Sequence, residues 1–296
     1  MGRLSSKSTS NLGEVTTEKK QIFKITHIRF GIAPGKRPFD KRALFSYTVF
    51  ITDPEETCMK YSCLVLDHDD TVVNSTATVH YPCFVEYMGK HFPQIRYTLE
   101  EYFVKNFDPG VYTLFHDIIG MTDEEMQREQ TYWFDYVQHH VPKVFDGIRE
   151  ILWDYRRAGG RLCVVSHSFS ENILRDYREN DLPAPDMVFG WEVSREKRKP
   201  QPDALYEIMS HFDLKPEELL VLDDLKPGYD MAKAGGVRFA AAGWANDIPE
   251  IERFMRKNCD LYFKTVAEFR THLFEEEKPG CCLPGSAEPS GEPPAV

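Results

Sequence analysis

Residues 62–75 read SCLVLDHDDTVVNS, a short apolar run that ends in three aspartates interrupted by one histidine. A run of this length and composition is typical of a strand buried on both faces of a parallel sheet. Similar runs follow along the chain, at residues 162–165, 187–189, 219–222, 237–241 and 261–263. Together these runs predict the strands of one sheet, and the first of them has an unusually acidic ending.

Helical patterns lie between the strand-like runs. Over residues 144–155 apolar side chains recur every three or four positions, and Gly159-Gly160 offers a left-handed stop behind them. Residues 204–212 repeat this spacing directly after Pro202-Asp203. The alternation of strands and helices predicts an α/β fold, with an open, mainly parallel sheet flanked by helices and right-handed crossovers.

One long segment, residues 76–142, does not follow this alternation. It is helix-like throughout, and its aromatic residues include Phe84, Tyr87, Tyr102, Tyr132 and Trp133. We therefore expect an inserted α-helical cap over 76–142 and an α/β core formed by 59–75 and 143–275. The linkers near 75–80 and 140–146 are the expected hinges of such a cap.

The two ends of the chain differ from the middle in composition. Residues 276–296 are rich in Pro, Gly and Ser and are expected to be a disordered tail. Residues 1–58 begin with a polar stretch, expected to be disordered, and carry no sustained helix or strand pattern. Met59 stands just before the first strand, where the initiating methionine of a shorter protein would lie. Two readings stay open for residues 1–58: a natural extension that packs one or two strands on the core, or a non-native segment translated from upstream.

Charge and cysteine usage restrict the classes of partner and compartment. The formal net charge of −11 disfavours nucleic acid and anionic lipid as partners. Apolar runs fall short of the ~20 residues that a membrane-spanning helix needs. The seven cysteines form no Cys-x-x-Cys pair, which disfavours a zinc site and favours reduced thiols in a cytoplasmic protein. The oligomeric state stays open.

Polar side chains follow three of the predicted strands, at the point where each strand ends. They are Asp67, Asp69, Thr71, Ser166, His167, Asp223 and Asp224. Ligands of open α/β sheets bind at the carboxyl ends of the strands, so these residues are expected to converge. Carboxylates gathered in one buried place repel one another, and a hard cation with oxygen ligands, such as Mg²⁺, removes that cost.

Phosphoryl chemistry uses these residue types. A carboxylate such as Asp67 can attack phosphorus, and a second one such as Asp69 can protonate the leaving oxygen and later activate water. Lys199, which precedes Pro200 in a separate segment, would neutralise a phosphoryl group together with the metal ion. Ser166 can donate a hydrogen bond to a phosphate oxygen.

Four stretches resemble, in order and rough spacing, the motifs of the haloacid dehalogenase superfamily. Residues 66–75 resemble its D-x-D-G-T-hydrophobic-x-x-S motif, and 164–168 its strand ending in Ser or Thr. Residues 199–202 resemble its lysine motif, and 221–228 its acidic metal motif. The resemblance covers about 62–274 and implies a Rossmann-like core. The helical insert is similar to the cap of the phosphoglycolate phosphatase and β-phosphoglucomutase-like branch.

The resemblance also implies roles for individual residues. Asp67 becomes the nucleophile and a ligand of Mg²⁺, and Asp69 the acid/base that also gives the metal its backbone carbonyl. Asp224 becomes the third protein ligand, with Asp223 beside it, and Lys199 and Ser166 hold the phosphate. Thr71 and His167, which lie in the same motifs, are further candidates for phosphate binding. His68 and His167 stand beside motif residues and are expected to shape the loops rather than to act as acid or base. Asp70 departs from the pattern, because the family usually has Gly there, but Asp tolerates unusual backbone angles better than most residues.

The expected function is Mg²⁺-dependent hydrolysis of a small phosphorylated metabolite through an aspartyl-phosphate. The alternative within the same core is a phosphomutase, which needs an acid/base in the cap, and no residue of 76–142 stands out in that role. A dehalogenase is disfavoured because Asp69 is present. A non-catalytic phosphate-sensing protein is disfavoured because Asp67 and Lys199 are both present. The sequence does not identify the substrate.

Overall fold

A computed structural model describes residues 59–274. Its strands are β1 (Cys63–Leu66), β2 (Val73–Asn74), β3 (Lys143–Val144), β4 (Arg161–Val165), β5 (Met187–Phe189), β6 (Leu219–Asp223), β7 (Arg238–Ala242) and β8 (Leu261–Phe263). Its helices are α1 (Tyr81–His91), α2 (Leu99–Phe107), α3 (Val111–Thr113), α4 (Asp123–Gln138), α5 (Ile148–Arg157), α6 (Ser170–Glu179), α7 (Asp203–Phe212), α8 (Lys226–Gly235), α9 (Pro249–Asn258) and α10 (Val266–Phe274). Shorter helical turns cover Thr76–His80, Leu114–Ile118 and Pro216–Glu218.

Six of the strands form one parallel sheet, in the order β5-β4-β1-β6-β7-β8. β1 lies between β4 and β6, and all four of its side chains are buried. Every strand of this sheet coincides, within a residue or so, with one of the predicted apolar runs. The prediction of an open, mainly parallel α/β sheet flanked by helices is therefore confirmed.

Helices cover both faces of the sheet because side chains alternate along each strand. Leu64 and Leu66 of β1 belong to one buried cluster, in which Tyr155 of α5 also packs. Cys63 and Val65 belong to the opposite cluster, with Leu205 of α7. The apolar stripe predicted for residues 144–155 is thus the side of α5 that packs on the sheet.

The chain leaves α5 through the predicted glycine pair. Gly159 has a φ of 92°, in the left-handed region that favours glycine. Gly160 lies against the ring of Tyr155, and a Cβ at this position would be only 2.2 Å from Tyr155 Cε1. Tyr155 cannot easily move away, since it is 1% exposed and its hydroxyl donates to the carbonyl of Tyr61 at 2.7 Å.

The segment between β2 and β3 is helical and adds no strand to the sheet. Its helices share a buried cluster, made of Phe84, Tyr87, Met88, Tyr102, Leu114, Phe115 and Met121. Two capping boxes fix helix starts, at Thr98 with Glu101 and at Thr122 with Glu125. α2 also faces the α/β part, where Phe107 meets Phe254 of α9 with ring centroids 5.3 Å apart.

The β2–β3 pair closes the base of this helical segment. Val73 pairs with Val144 and Asn74 with Lys143 in antiparallel register. This pair is not predictable from the sequence, because two-residue strands leave no periodic pattern. It brings the two ends of the segment side by side.

No helix within residues 59–274 has both the length and the apolar character that crossing a membrane would require. The expectations for residues 1–58 and 276–296 lie outside the described residues.

The close contact at Gly160 predicts a large effect of a single methyl group. We expect Gly160→Ala to lower the free energy of unfolding by about 1–3 kcal/mol, because the new Cβ overlaps a ring that cannot move. Gly89→Ala is the matched control, since a Cβ at this position of α1 meets no atom within 4 Å. The free energy of unfolding of the Gly89→Ala variant should be about 0.5–1 kcal/mol higher than that of the parent protein. Urea unfolding of both variants measures the difference, and equal stabilities would contradict the packing described for Gly160.

Candidate active site

Three carboxylates meet at the carboxyl edge of the sheet. Asp67 follows β1 and Asp223 ends β6, and these adjacent strands are in register, with Leu66 opposite Leu222. Asp224 comes next in the chain, and one oxygen from each of the three aspartates lies within 4.8 Å of the others. All three side chains are buried. The predicted convergence of strand ends therefore brings these aspartates together.

Lys199 joins two of the aspartates. Its Nζ donates to Asp67 Oδ1 at 2.6 Å and to Asp223 Oδ2 at 2.8 Å, and the lysine is itself buried. Burial alone would lower the pKa of Lys199, but the two carboxylates outweigh it and raise the pKa above its ordinary value. The lysine is therefore a permanent cation at the edge of the sheet.

The buried cluster holds more negative than positive charge. Lys199 faces three aspartates, and burial together with neighbouring carboxylates raises the pKa of Asp67 to about 7 although the lysine opposes this rise. Burial and the nearby acids also raise the pKa of Asp224. Asp224 Oδ2 is buried and has no hydrogen-bond partner among residues 59–274. These residues therefore fit a hard divalent cation with oxygen ligands.

Asp223 is held in place by the start of α8. The backbone N–H of Leu225 donates to its Oδ1 at 2.8 Å. Gly228 lies so close that a Cβ there would be 2.1 Å from Asp223 Oδ2. The glycine of the fourth motif is thus needed for the close approach of α8 to this carboxylate.

Asp69 receives hydrogen bonds on both carboxylate oxygens. Ser168 Oγ donates to Oδ2 at 2.5 Å, and His80 Nε2 lies 2.9 Å from Oδ1. The indole N–H of Trp133 donates to His80 Nδ1 at 3.0 Å. Because Nδ1 accepts this bond, Nε2 carries the proton that is donated to Asp69.

The electrostatics of Asp69 follow from these contacts. Burial raises the pKa of Asp69, but the charge and hydrogen bond of His80 and the hydroxyl of Ser168 outweigh burial and lower it. Conversely, burial lowers the pKa of His80 and Asp69 raises it. Protonation of His80 at Nδ1 would add to its attraction for Asp69 but would break the bond from Trp133. Asp69 is ionised in this arrangement.

The remaining predicted residues surround this centre. Thr71 Oγ1 donates to Asp224 Oδ1 at 3.3 Å, and Ser166 is buried with its Oγ accepting from the N–H of Ser168 at 3.2 Å. His167 Nε2 donates to the carbonyl of Lys199 at 2.9 Å. Burial and the charge of Lys199 lower the pKa of His167 to about 3, so it is neutral. In this structure His167 holds the loop that carries the lysine.

Asp70 has the backbone conformation that glycine would have in the motif. Its φ is 58°, as expected from the tolerance of aspartate for left-handed angles. Its buried carboxylate accepts from the N–H of Thr76 at 3.1 Å, which ties the strand end to the start of the helical segment. Burial raises the pKa of Asp70 to about 6 against the opposing hydrogen bond from Thr76.

His68 pairs with a carboxylate outside the acidic cluster. Its Nε2 lies 3.0 Å from Asp176 Oδ2, and both side chains are buried. His68 thus anchors the loop after β1 to α6.

The sequence alone did not indicate a role for Ser168, His80 or Trp133 at the site. Ser168 could have been found, since it stands two residues after Ser166 in the same motif. His80 and Trp133 carry no motif, and only the fold brings them to Asp69.

Comparison with known proteins gives a family. A family model of haloacid dehalogenase-like hydrolases matches residues 64–242. An enolase-phosphatase E1 from Persephonella marina is 21% identical over 200 residues, which cover 58% of this chain and 87% of that protein.

Solved structures are similar in fold. A haloacid dehalogenase-like family hydrolase from Streptococcus pneumoniae has a TM-score of 0.58 at 14% identity and covers 72% of this chain and 98% of its own. A predicted phosphoglycolate phosphatase from Haemophilus somnus has a TM-score of 0.55 at 15% identity, with coverage of 71% and 96%. At these sequence identities the similarity to the solved structures shows the fold alone.

The buried carboxyl of Asp70 predicts a pH-dependent stability. The pKa of the Asp70 carboxyl is about 6 in the folded protein, above its ordinary value of 3.8. The stability that Asp70 contributes to the fold is therefore fully present below pH 3.8 and is lost as the pH rises through 6. Asp70→Asn keeps the acceptor oxygen without the charge. We expect the free energy of unfolding of this variant to exceed that of the parent protein by about 1–3 kcal/mol at pH 7 and by almost nothing at pH 4.

Thermal or urea unfolding in the presence of a chelator measures this gain. Asp213→Asn is the control, because Asp213 has a similar φ of 53° but an exposed side chain. A gain at Asp70 that is the same at both pH values would contradict the prediction.

Proposed function

The chain belongs to the haloacid dehalogenase-like hydrolase family, and within it we propose a Mg²⁺-dependent phosphatase that hydrolyses a small phosphomonoester. The observation that carries this proposal is the buried lysine between two aspartates, with a third aspartate beside them. Such a centre combines a nucleophile, a fixed cation and an uncompensated negative charge.

The metal-binding role is proposed for the acidic cluster. Asp67, Asp224 and the backbone carbonyl of Asp69 would hold Mg²⁺, with Asp223 beside them. The partnerless Oδ2 of Asp224 supports this assignment. When bound, the ion supplies positive charge that balances the carboxylates and the phosphoryl oxygens.

The chemical step uses two aspartates. The Asp67 carboxylate attacks phosphorus, and the bond from phosphorus to the leaving oxygen breaks as the bond to Asp67 forms. Asp69 in its protonated form gives its proton to the leaving oxygen. A water molecule then attacks the aspartyl-phosphate while Asp69 takes up its proton, which releases phosphate and restores Asp67. Lys199 orients Asp67 and neutralises the phosphoryl group. Ser166 and Thr71 belong to the same polar site.

Asp69 must change partners in order to act as an acid. Both of its oxygens accept hydrogen bonds, which favour the ionised form. His80 and Trp133 belong to the helical segment 76–142, so movement of that segment would release one oxygen of Asp69. We propose that this segment is a cap that moves about 75–80 and 140–146, and that its repositioning over a bound substrate frees Asp69 from His80 and excludes bulk water from the reaction.

The nucleophile and metal assignments predict the effect of one substitution. Activity on p-nitrophenyl phosphate should require Mg²⁺, disappear with chelator and return when Mg²⁺ is added. Asp67→Asn should lower kcat by several orders of magnitude, about 10³-fold or more, because the attacking carboxylate is gone. A melting curve checks that the variant is folded, since Asn keeps an oxygen that can accept from Lys199 although the buried ion pair is lost. Near-normal turnover by a folded Asp67→Asn protein would refute the mechanism.

The acid/base assignment predicts a different kinetic signature. Asp69→Asn should lower kcat by about 10²–10⁴-fold with little change in KM, because proton transfer matters in the transition state. Acid quenching should trap a phosphorylated protein if breakdown of the intermediate becomes limiting. Asp70→Asn is the neighbouring control and should keep most of the activity. An unchanged kcat in Asp69→Asn would remove this residue from the acid/base role.

A further inference from the structure

A buried polar network lies beneath the loop that carries the two aspartates of the proposed chemical step. Along β1, the side chains of Leu64 and Leu66 face the buried cluster that also contains Tyr177 of α6. His68 continues this alternation two residues after Leu66, and its side chain is only 1% exposed. An imidazole where the pattern calls for an apolar side chain breaks a local rule, and such breaks are typical of functional sites.

The partner of His68 is a carboxylate whose two oxygens are both bound. Asp176 Oδ2 lies 3.0 Å from His68 Nε2. Asp176 Oδ1 accepts from Arg175 Nε at 2.9 Å and lies 2.7 Å from Arg175 Nη2. Arg175 Nη1 in turn donates to the carbonyl of Val137, in the last turn of α4, at 2.7 Å. Asp176 is therefore fixed in one orientation between α4 and the loop after β1.

The pair of His68 and Asp176 is costly to the fold. Asp176 is only 4% exposed, and His68 Nδ1 is buried without a hydrogen-bond partner among residues 59–274. A buried polar atom without a partner destabilises the folded state, and apolar replacement of a whole buried pair is often neutral or stabilising. Stability alone therefore does not account for this pair.

The backbone of His68 connects the network to the reaction centre. His68 stands between Asp67 and Asp69, and its carbonyl accepts from the N–H groups of Val72 and Val73 at 3.0 and 3.1 Å. Both the side chain and the carbonyl of His68 are thus anchored. Because side chains alternate along a strand and its continuation, an anchored His68 directs its two neighbours to the opposite side.

We infer that Asp176 is a positioning residue, which holds the peptide between Asp67 and Asp69 through its contact with His68. This inference rests on the proposed phosphatase function and adds a residue of α6 to it. Asp176 touches neither the substrate nor the reacting atoms in this role. It acts by keeping the two carboxylates in the geometry that attack on phosphorus and proton transfer require.

The kinetic test compares two replacements of Asp176 that have similar size. Asp176→Leu removes both contacts. Asp176→Asn keeps them, because its oxygen can accept from Arg175 while its amide N–H donates to the other tautomer of His68. With the full chain, Mg²⁺ and p-nitrophenyl phosphate, kcat should fall by about 10–100-fold in Asp176→Leu while KM stays unchanged. Asp176→Asn should keep most of the parent's kcat.

Asn172→Leu is the matched control for the packing of α6. Asn172 is buried one turn before Asp176 and also binds the end of α4, since Gln138 Nε2 donates to its Oδ1 at 2.7 Å. This variant should have a kcat close to that of the parent. An equal loss of kcat in Asn172→Leu and Asp176→Leu would assign the effect to helix packing and overturn the inference.

A double variant separates positioning from misfolding. His68→Leu/Asp176→Leu removes both members of the buried pair, so it should melt at or above the temperature of Asp176→Leu. Its kcat should be as low as that of Asp176→Leu but no lower, because the two side chains act through one contact. If Asp176→Leu does not fold, the loss of kcat is measured on the double variant. A parent-like kcat in the folded double variant would contradict the inference.

Hydrogen exchange separates this inference from the phosphatase proposal, because it needs no turnover. The N–H groups of Val72 and Val73 bond to the His68 carbonyl, so release of His68 should make them exchange faster. Mass spectrometry should show faster deuterium uptake over residues 67–73 in Asp176→Leu than in the parent or in Asn172→Leu. If the parent hydrolyses nothing but this difference is found, the phosphatase proposal fails and the anchoring of the loop by Asp176 stands. Parent-like uptake over 67–73, or an unchanged kcat in a folded Asp176→Leu protein, refutes the role of Asp176.

Discussion

The rest of the site depends on one interaction, the pairing of the buried Lys199 ammonium with the carboxylates of Asp67 and Asp223. These aspartates end adjacent parallel strands in register, so the sheet itself delivers two negative charges to one point. Without an internal cation, such a pair would be costly to bury. The lysine meets that need only in part, because Asp224 adds a third carboxylate to the cluster. The remaining negative charge suits the edge of the sheet to a divalent cation, which together with Lys199 would balance the charge of a phosphoryl group.

The second aspartate of the motif connects the sheet to the inserted helices. Asp69 lies two residues beyond Asp67, but its partners are Ser168 behind β4 and His80 at the entrance to α1. Since Trp133 on α4 fixes the tautomer of His80, the protonation of Asp69, the proposed acid/base, depends on the position of a helix far away in sequence. His80 and Trp133 both belong to the helical segment, so the position of that segment would govern proton transfer at Asp69.

Asp70 illustrates how a departure from a family pattern is accommodated. Its left-handed backbone would suit glycine better, but the carboxylate binds the N–H of Thr76 and so anchors the start of the helical segment. The cost is one more buried acid close to Asp224. A bound cation would reduce this cost, which links the unusual residue to the charge balance of the whole cluster.

The sequence by itself determined the strands, their parallel arrangement and the convergence of Asp67, Asp223 and Asp224, because buried strands and strand ends are local patterns. It also determined that Lys199 would be the cation, through its place in an ordered set of motifs. Tertiary structure alone decided the β2–β3 pair, whose two-residue strands leave no periodicity to read. It alone decided the partners of Asp69, since a histidine or a tryptophan in a helical segment looks the same in sequence whether it faces core, solvent or cleft. Which of these it faces depends on how the helices pack across many residues of chain, and that packing is not encoded in any local spacing.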